Sequence, residues 1–314
     1  MLSRVAERLY WLARYLERAE NTARLANVYS ALMLDLPPGV GVHWRQLVEI
    51  TGGDERFHKR HRTSGERNVL KFILLDTTYG GSLLSSLSMA RENVRTSRDQ
   101  IPSEAFESVN ELLLFARRKL NAKVFRKNLY ESLSRVVMHC QQITGLLAGS
   151  MSHGFGYQFV RLGRNLERAD MTTRLLDVGS ATLIAESDER TRLENRLWIN
   201  VLRSLSAHQM YRLNVRRRVK RENVVDFLLR DLHFPRAVAH TLAEVQACLE
   251  QLPKNDMPLR SITRVRRHVA ETESHKLVGE ALHRFIDELQ LDLAETHDMI
   301  SQTWFLPVAD DEKI

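Results

Sequence analysis

Residues 14–28 read Arg-Tyr-Leu-Glu-Arg-Ala-Glu-Asn-Thr-Ala-Arg-Leu-Ala-Asn-Val, and residues 164–178 read Arg-Asn-Leu-Glu-Arg-Ala-Asp-Met-Thr-Thr-Arg-Leu-Leu-Asp-Val. Nine of these 15 aligned positions are identical, and Glu20 against Asp170 keeps a carboxylate. A second match follows in the same order: Asn68-Val-Leu-Lys-Phe-Ile-Leu-Leu-Asp76 lies over Asn223-Val-Val-Asp-Phe-Leu-Leu-Arg-Asp231, with Tyr79 facing Phe234 just beyond. Two matches at nearly the same shift point to an internal duplication, about residues 1–150 and 151–314. Two copies are too few for a solenoid. The expectation is an all-α helical bundle with pseudo-two-fold symmetry, forming one domain over 1–314.

Working outward, Leu2, Val5, Leu9, Leu12, Leu16, Ala19 and Ala23 fall at three- and four-residue steps, which gives one continuous helical face over the first 33 residues. Pro37, Pro38 and Gly39 end it. Shorter helices are expected from about His43 to Ile50, Glu66 to Leu75 and Ser82 to Arg98. Ser103 is read as an N-cap for a helix to Leu120, and a long apolar helix follows from about Val124 to Ser150. Thr51 to Gly65 reads as a polar, basic loop. Period-two runs of β-branched residues are absent, so no strand is expected. Gly (14) and Pro (7) are scarce in 314 residues, which also favours long helices.

On a helical wheel, Glu20 falls 40° and Arg24 80° from Leu16, so both lie on or beside the apolar face. They also form an acid-to-base i,i+4 pair, the favourable order. Buried charges cost several kcal/mol unless paired and hydrogen-bonded, about 3–5 kcal/mol when one partner of a pair is lost. Two readings compete. In one, each motif helix donates an ion network that fixes helix register. In the other, Arg14, Arg18 and Arg24, with Arg164, Arg168 and Arg174 in the second copy, hold an anionic substrate or partner. Glu17 or Glu20 then orients an amine or acts as base: Glu17 and Glu167 are the candidate catalytic carboxylates, and Glu20 and Asp170 join the substrate- or partner-binding set. Arg forks suit carboxylates and phosphates.

Three stretches resemble the bacterial alpha-E domain family: residues 1–24, Met-Leu-Ser-Arg-Val-Ala-Glu-Arg-Leu-Tyr-Trp-Leu-Ala-Arg-Tyr-Leu-Glu-Arg-Ala-Glu-Asn-Thr-Ala-Arg; residues 90–101, Ala-Arg-Glu-Asn-Val-Arg-Thr-Ser-Arg-Asp-Gln-Ile; and residues 162–171, Leu-Gly-Arg-Asn-Leu-Glu-Arg-Ala-Asp-Met. The resemblance covers essentially the whole chain and implies an all-helical fold. Members of that family are typically encoded beside circularly permuted ATP-grasp proteins and transglutaminase-like proteins. This implies a part in ATP-dependent amide or peptide-bond formation, as partner subunit or second catalytic component. The family's glutamate falls on Glu17 or Glu20, and on Glu167 or Asp170 in the second copy. The Gly-Trp pair usual before the second motif is replaced by His153-Gly-Phe-Gly-Tyr157.

No phosphate-cradling glycine loop or nucleophile elbow occurs, so no cofactor of its own is expected and ATP belongs to a partner. Cys140 and Cys248 rule out a disulfide framework and read as inert core thiols. His58 and His61 sit among Arg56, Lys59, Arg60 and Arg62, whose charge opposes a cation. Glu271, Glu273 and His275 lack the paired Glu-x-x-His of di-iron bundles. No metal site is expected. The net charge of +7 comes mostly from Arg. Arg216, Arg217, Arg218, Lys220 and Arg221 form the sharpest basic run, with Arg260, Arg264, Arg266 and Arg267 downstream. Nucleic-acid binding is therefore a third function to weigh, although no helix-turn-helix or aromatic platform accompanies the charge. No run approaches the ~18 apolar residues of a membrane span, and Met1 leads directly into an Arg-bearing helix rather than a signal peptide. A cytoplasmic protein without a membrane partner is expected.

Overall fold

The computed structural model describes residues 3–36, 42–120, 128–181 and 188–305, and only the backbone at 179–181 and 188–193. Fourteen α-helices and no strand occur among the described residues. They are α1 (Ser3–Asp35), α2 (Arg45–Ile50), α3 (Asp54–His58), α4 (Glu66–Leu75), α5 (Leu83–Arg95), α6 (Ser103–Lys119) and α7 (Leu129–Ser150). After the turn at 151–154 come α8 (Phe155–Ala181), α9 (Asp188–Ser204), α10 (His208–Asn214), α11 (Arg221–Arg230), α12 (Val238–Leu249), α13 (Asp256–Glu271) and α14 (Glu280–Trp304).

The two motif helices, α1 and α8, pack directly on each other at the centre. Around α1, the helices α5, α6 and α7 pack in sequence, with α5 and α7 touching α1. Around α8, the helices α12, α13 and α14 pack in the same order, with α12 and α14 touching α8. The wheel's apolar face is the one that is covered: Leu9, Leu12, Leu16, Ala19 and Ala23 are all buried. The crossing needs Gly163, because a Cβ there would lie 2.1 Å from the Tyr10 carbonyl oxygen. No side chain fits between the two backbones at that point.

Several element boundaries differ from the sequence expectation. Asp54–His58 is a short helix rather than loop, with the Phe57 ring buried against Phe72 at 5.3 Å to anchor it. Ser103 is the first helical residue of α6 and makes no cap. Pro102 holds that position at φ −58°, ψ 141° and leaves the helix without a side-chain cap. At α5, by contrast, the Ser82 hydroxyl accepts the Ser85 amide at 3.2 Å. The expected start of α7 near Val124 and the Pro37-Pro38-Gly39 stop lie outside the described residues.

Candidate functional site

Where α1 crosses α8, the two Glu-Arg pairs of the motif exchange partners. Glu17 accepts a bond from Arg168 Nε at 3.0 Å. Glu167 accepts from Arg18 twice, Nε at 2.6 Å and Nη2 at 2.9 Å, and from Arg14 Nε at 2.7 Å. The contacts climb in step along both helices, Tyr10 beside Gly163, then Arg14 on Glu167, then Glu17 with Arg168, so the helices run in the same direction here. Both glutamates are almost completely buried. Burial alone would raise their pKa values, but the guanidiniums outweigh it. Arg168 and Arg236 hold Glu17 below the usual carboxylate range, and Arg18 and Arg14 hold Glu167 at about 2.

Beyond these reciprocal pairs the two sides differ. On the Glu17 side the surroundings are sealed. Arg236, in the turn before α12, donates Nη1 to Glu17 at 2.6 Å and to Asn21 Oδ1 at 2.7 Å, and Nη2 to Glu20 at 2.8 Å. Glu20 also accepts from Arg24 and from Gln141 Nε2 at 3.2 Å. The space left between Glu17, Arg164 and α7 is about 10 Å³, too small to take a ligand. Arg164, which aligns with Arg14, has its Nε buried there without a hydrogen-bond partner among the described residues.

On the Glu167 side lies an open cleft of about 620 Å³ between α1, α8 and α14. Arg14, Arg18, Asp170, Arg174, Asp287, Gln290 and His297 supply its polar lining, and Leu166, Leu291, Leu293 and Ala294 the apolar part. Arg18 and Arg174 are each tied at one edge, and Arg14 at two. Arg14 and Arg18 hold Glu167, and Arg174 Nε reaches both Asp170 oxygens at 3.0 Å. Arg14 Nη1 also donates to the Tyr10 hydroxyl at 3.2 Å, and that hydroxyl lies 2.7 Å from His297 Nδ1. With the Tyr10 hydroxyl donating to Nδ1, the His297 proton sits on Nε2, the other edge of the ring. Burial and the Arg14 charge push His297 down to about 4, so the imidazole is neutral at physiological pH. The cleft is therefore rich in donors, suited to an oxyanion ligand.

These features fit a family description. The family model described as a predicted alpha-helical domain with a conserved ER motif matches residues 1–305. The chain belongs to the alpha-E family. Similar curated relatives are uncharacterized proteins of Mycobacterium bovis and Mycobacterium tuberculosis, each 24% identical over 332 residues and covering 96% of this chain. This alpha-E chain spans only 36% of the length of those relatives. No solved structure matches it.

Of the ten residues singled out in the alpha-E sequence, Arg14, Arg18, Asp170 and Arg174 line the cleft with Glu167 behind them, whereas Glu17, Glu20, Arg24, Arg164 and Arg168 gather on the sealed side. Arg236, His297 and Tyr10 were not anticipated. One signal pointed to Arg236: extending the second sequence match by five residues sets it opposite Gly81, an exchange of the smallest residue for a long cation. Nothing comparable marks His297, whose partner Tyr10 is 287 residues away.

The remaining candidates are structural. Cys140 and Cys248 are buried, and burial raises both thiols, Cys248 to about 12, so neither forms a thiolate readily. Asp177, His283 and Asp287 are the one group of possible metal ligands found among the described residues, with ligand atoms within 4.8 Å. There His283 Nδ1 already pairs with Asp177 at 2.6 Å, and that bond raises its pKa, which favours an imidazolium over a metal ligand. His153 of the segment that replaces the family's Gly-Trp stacks on Tyr157 at 4.1 Å. No helix among the described residues is long and apolar enough to cross a membrane.

Proposed function

We propose that this alpha-E protein is the component of an ATP-grasp-linked amide- or peptide-bond-forming system that holds a carboxylate-bearing substrate, as partner subunit or second catalytic component. It works in the cytoplasm as one unit built from two repeats, about 1–150 and 151–314. An ATP-grasp protein is the leading partner and a transglutaminase-like protein a second. The observation that carries this reading is the cleft in which Arg14, Arg18 and Arg174 keep guanidinium donors free beside the neutral His297. A substrate carboxylate seats on those forks, and Asp170 and Asp287 offer acceptors to an amine on the same molecule. Glu167 sets the position of Arg14 and Arg18 from behind, and Glu17 does the same for Arg168 on the sealed side. The resemblance supplies the reaction class, and the relatives' greater length supports work alongside further polypeptide.

The test is ligand-induced stabilisation with amino acids, dicarboxylates and short peptides, followed by capture of the tagged protein from its native cell at low and high salt. The expected result is a carboxylate-dependent rise in Tm that Arg174→Gln removes without lowering the Tm of the free protein, and recovery of an ATP-grasp protein at both salts. No stabilising carboxylate and no ATP-grasp partner would overturn the reading. In that case the scaffold reading stands, which the sealed network around Glu17 and Arg236 favours.

A further inference from the structure

Between Glu194 and Glu222 the chain contains no Asp or Glu, yet residues 212–221 hold Arg212, Arg216, Arg217, Arg218, Lys220 and Arg221. None of the six has an ion-pair partner among the described residues, and the first five are exposed. Elsewhere several exposed cations have a nearby carboxylate, as Lys59 has Glu55 and Arg95 has Glu92. Here it concentrates like charges that repel one another, and the positive field reaches His208, whose pKa falls through burial and then Arg203 and Arg212.

The turn that carries this charge is built to a definite shape. Tyr211, fully buried, donates its hydroxyl to the Arg218 carbonyl at 3.0 Å, and Asn223 Nδ2 donates to the same oxygen at 3.3 Å. Arg216 adopts φ 55°, a left-handed conformation that glycine or asparagine would take more readily. The backbone is pinned from beneath and five of the cationic side chains are exposed, with Arg216 Nε also donating to the Leu213 carbonyl at 3.2 Å. Met210 and Leu213 stand exposed at their edge, on α10.

We propose that the α10–α11 turn is a docking surface for an acidic, amphipathic protein segment. Charge complementarity selects an anionic partner. The exposed Met210 and Leu213 offer apolar contacts that a phosphate backbone does not use, while Tyr211, the aromatic residue of the segment, is buried and unavailable for stacking on bases. The surface goes beyond the cleft reading, and shares with it only the premise of a protein partner.

The full chain is titrated, by fluorescence anisotropy, with a labelled amphipathic peptide of Glu and Leu. A DNA duplex of equal charge and phosphatidylserine vesicles serve as competitors. The peptide is expected to bind in a salt-sensitive manner and more tightly than either competitor. The variant R216Q/R217Q/R218Q/K220Q should weaken it about tenfold, a loss of about 1.4 kcal/mol. Its four side chains are exposed, so its melting curve should match the wild type. Leu213→Ser should weaken the peptide and leave DNA unchanged. Tighter binding of DNA or vesicles, or a quadruple variant that binds the peptide like the wild type, would overturn the proposal. Arg174→Gln should leave peptide binding unchanged, so the docking surface and the cleft fail or succeed separately.

Discussion

Glu17 and Glu167 are both buried under guanidiniums, but their surroundings assign them different weights. Removing the Glu17 charge leaves Arg168 and Arg236 facing each other with a single carboxylate, Glu20, between them and Arg24. Breaking a buried pair in this way costs about 3–5 kcal/mol, so Glu17→Gln should show a large drop in denaturant midpoint. Glu167→Gln should cost less, because Arg14 and Arg18 open onto the cleft and regain water. The Glu167 carboxyl also gives a pH signature. Its folded pKa is about 2 against 4.5 for the free group. A depressed carboxylate stabilises fully above the unfolded value, and loses that contribution as the pH falls from 4.5 towards 2, a difference on the order of 3 kcal/mol. Denaturant midpoints measured from pH 5 down to pH 2 should therefore fall less steeply for Glu167→Gln than for the wild type. Parallel slopes would remove the carboxylate from the acid response.

At the level of helices, α1 and α8 approach closely enough that one hydrogen-sized side chain decides the crossing. Gly163→Ala would push a methyl into the Tyr10 backbone, and overpacking of this kind costs about 1–3 kcal/mol. Gly149→Ala is the matching control in α7, where a Cβ meets nothing within 4 Å. That substitution should raise stability by about 0.5–1 kcal/mol through helix propensity. Differential scanning calorimetry should move the two Tm values in opposite directions. Long helices were legible in the sequence because their apolar residues recur over many turns, as from Leu9 to Ala23. Asp54–His58 was not, since five residues hold too little periodicity and the element rests on one ring, Phe57, packed against Phe72. The position of Glu20 and Arg24 beside the apolar stripe was likewise readable from the wheel. Which cation would meet each carboxylate was not, because Arg236 arrives from 216 residues away in a turn.

The whole molecule carries its charge unevenly, with arginines bound to carboxylates where α1 crosses α8 and a run of cations without ion-pair partners among the described residues on the α10–α11 turn. That division explains why the sequence pointed both to an ion network and to a basic binding surface: the same residue type does each, and only packing separates them. The reciprocal bonds at the crossing reach further still. Glu17 precedes the turn at 151–154 and takes its cation from beyond it, while Glu167 follows the turn and takes both of its cations from before it. Neither side can neutralise its own innermost acid. A chain cut at that turn should thus give two fragments that are each poorly folded alone and regain helical circular dichroism when mixed. The crossing would act as a lock whose two keys are held by opposite owners.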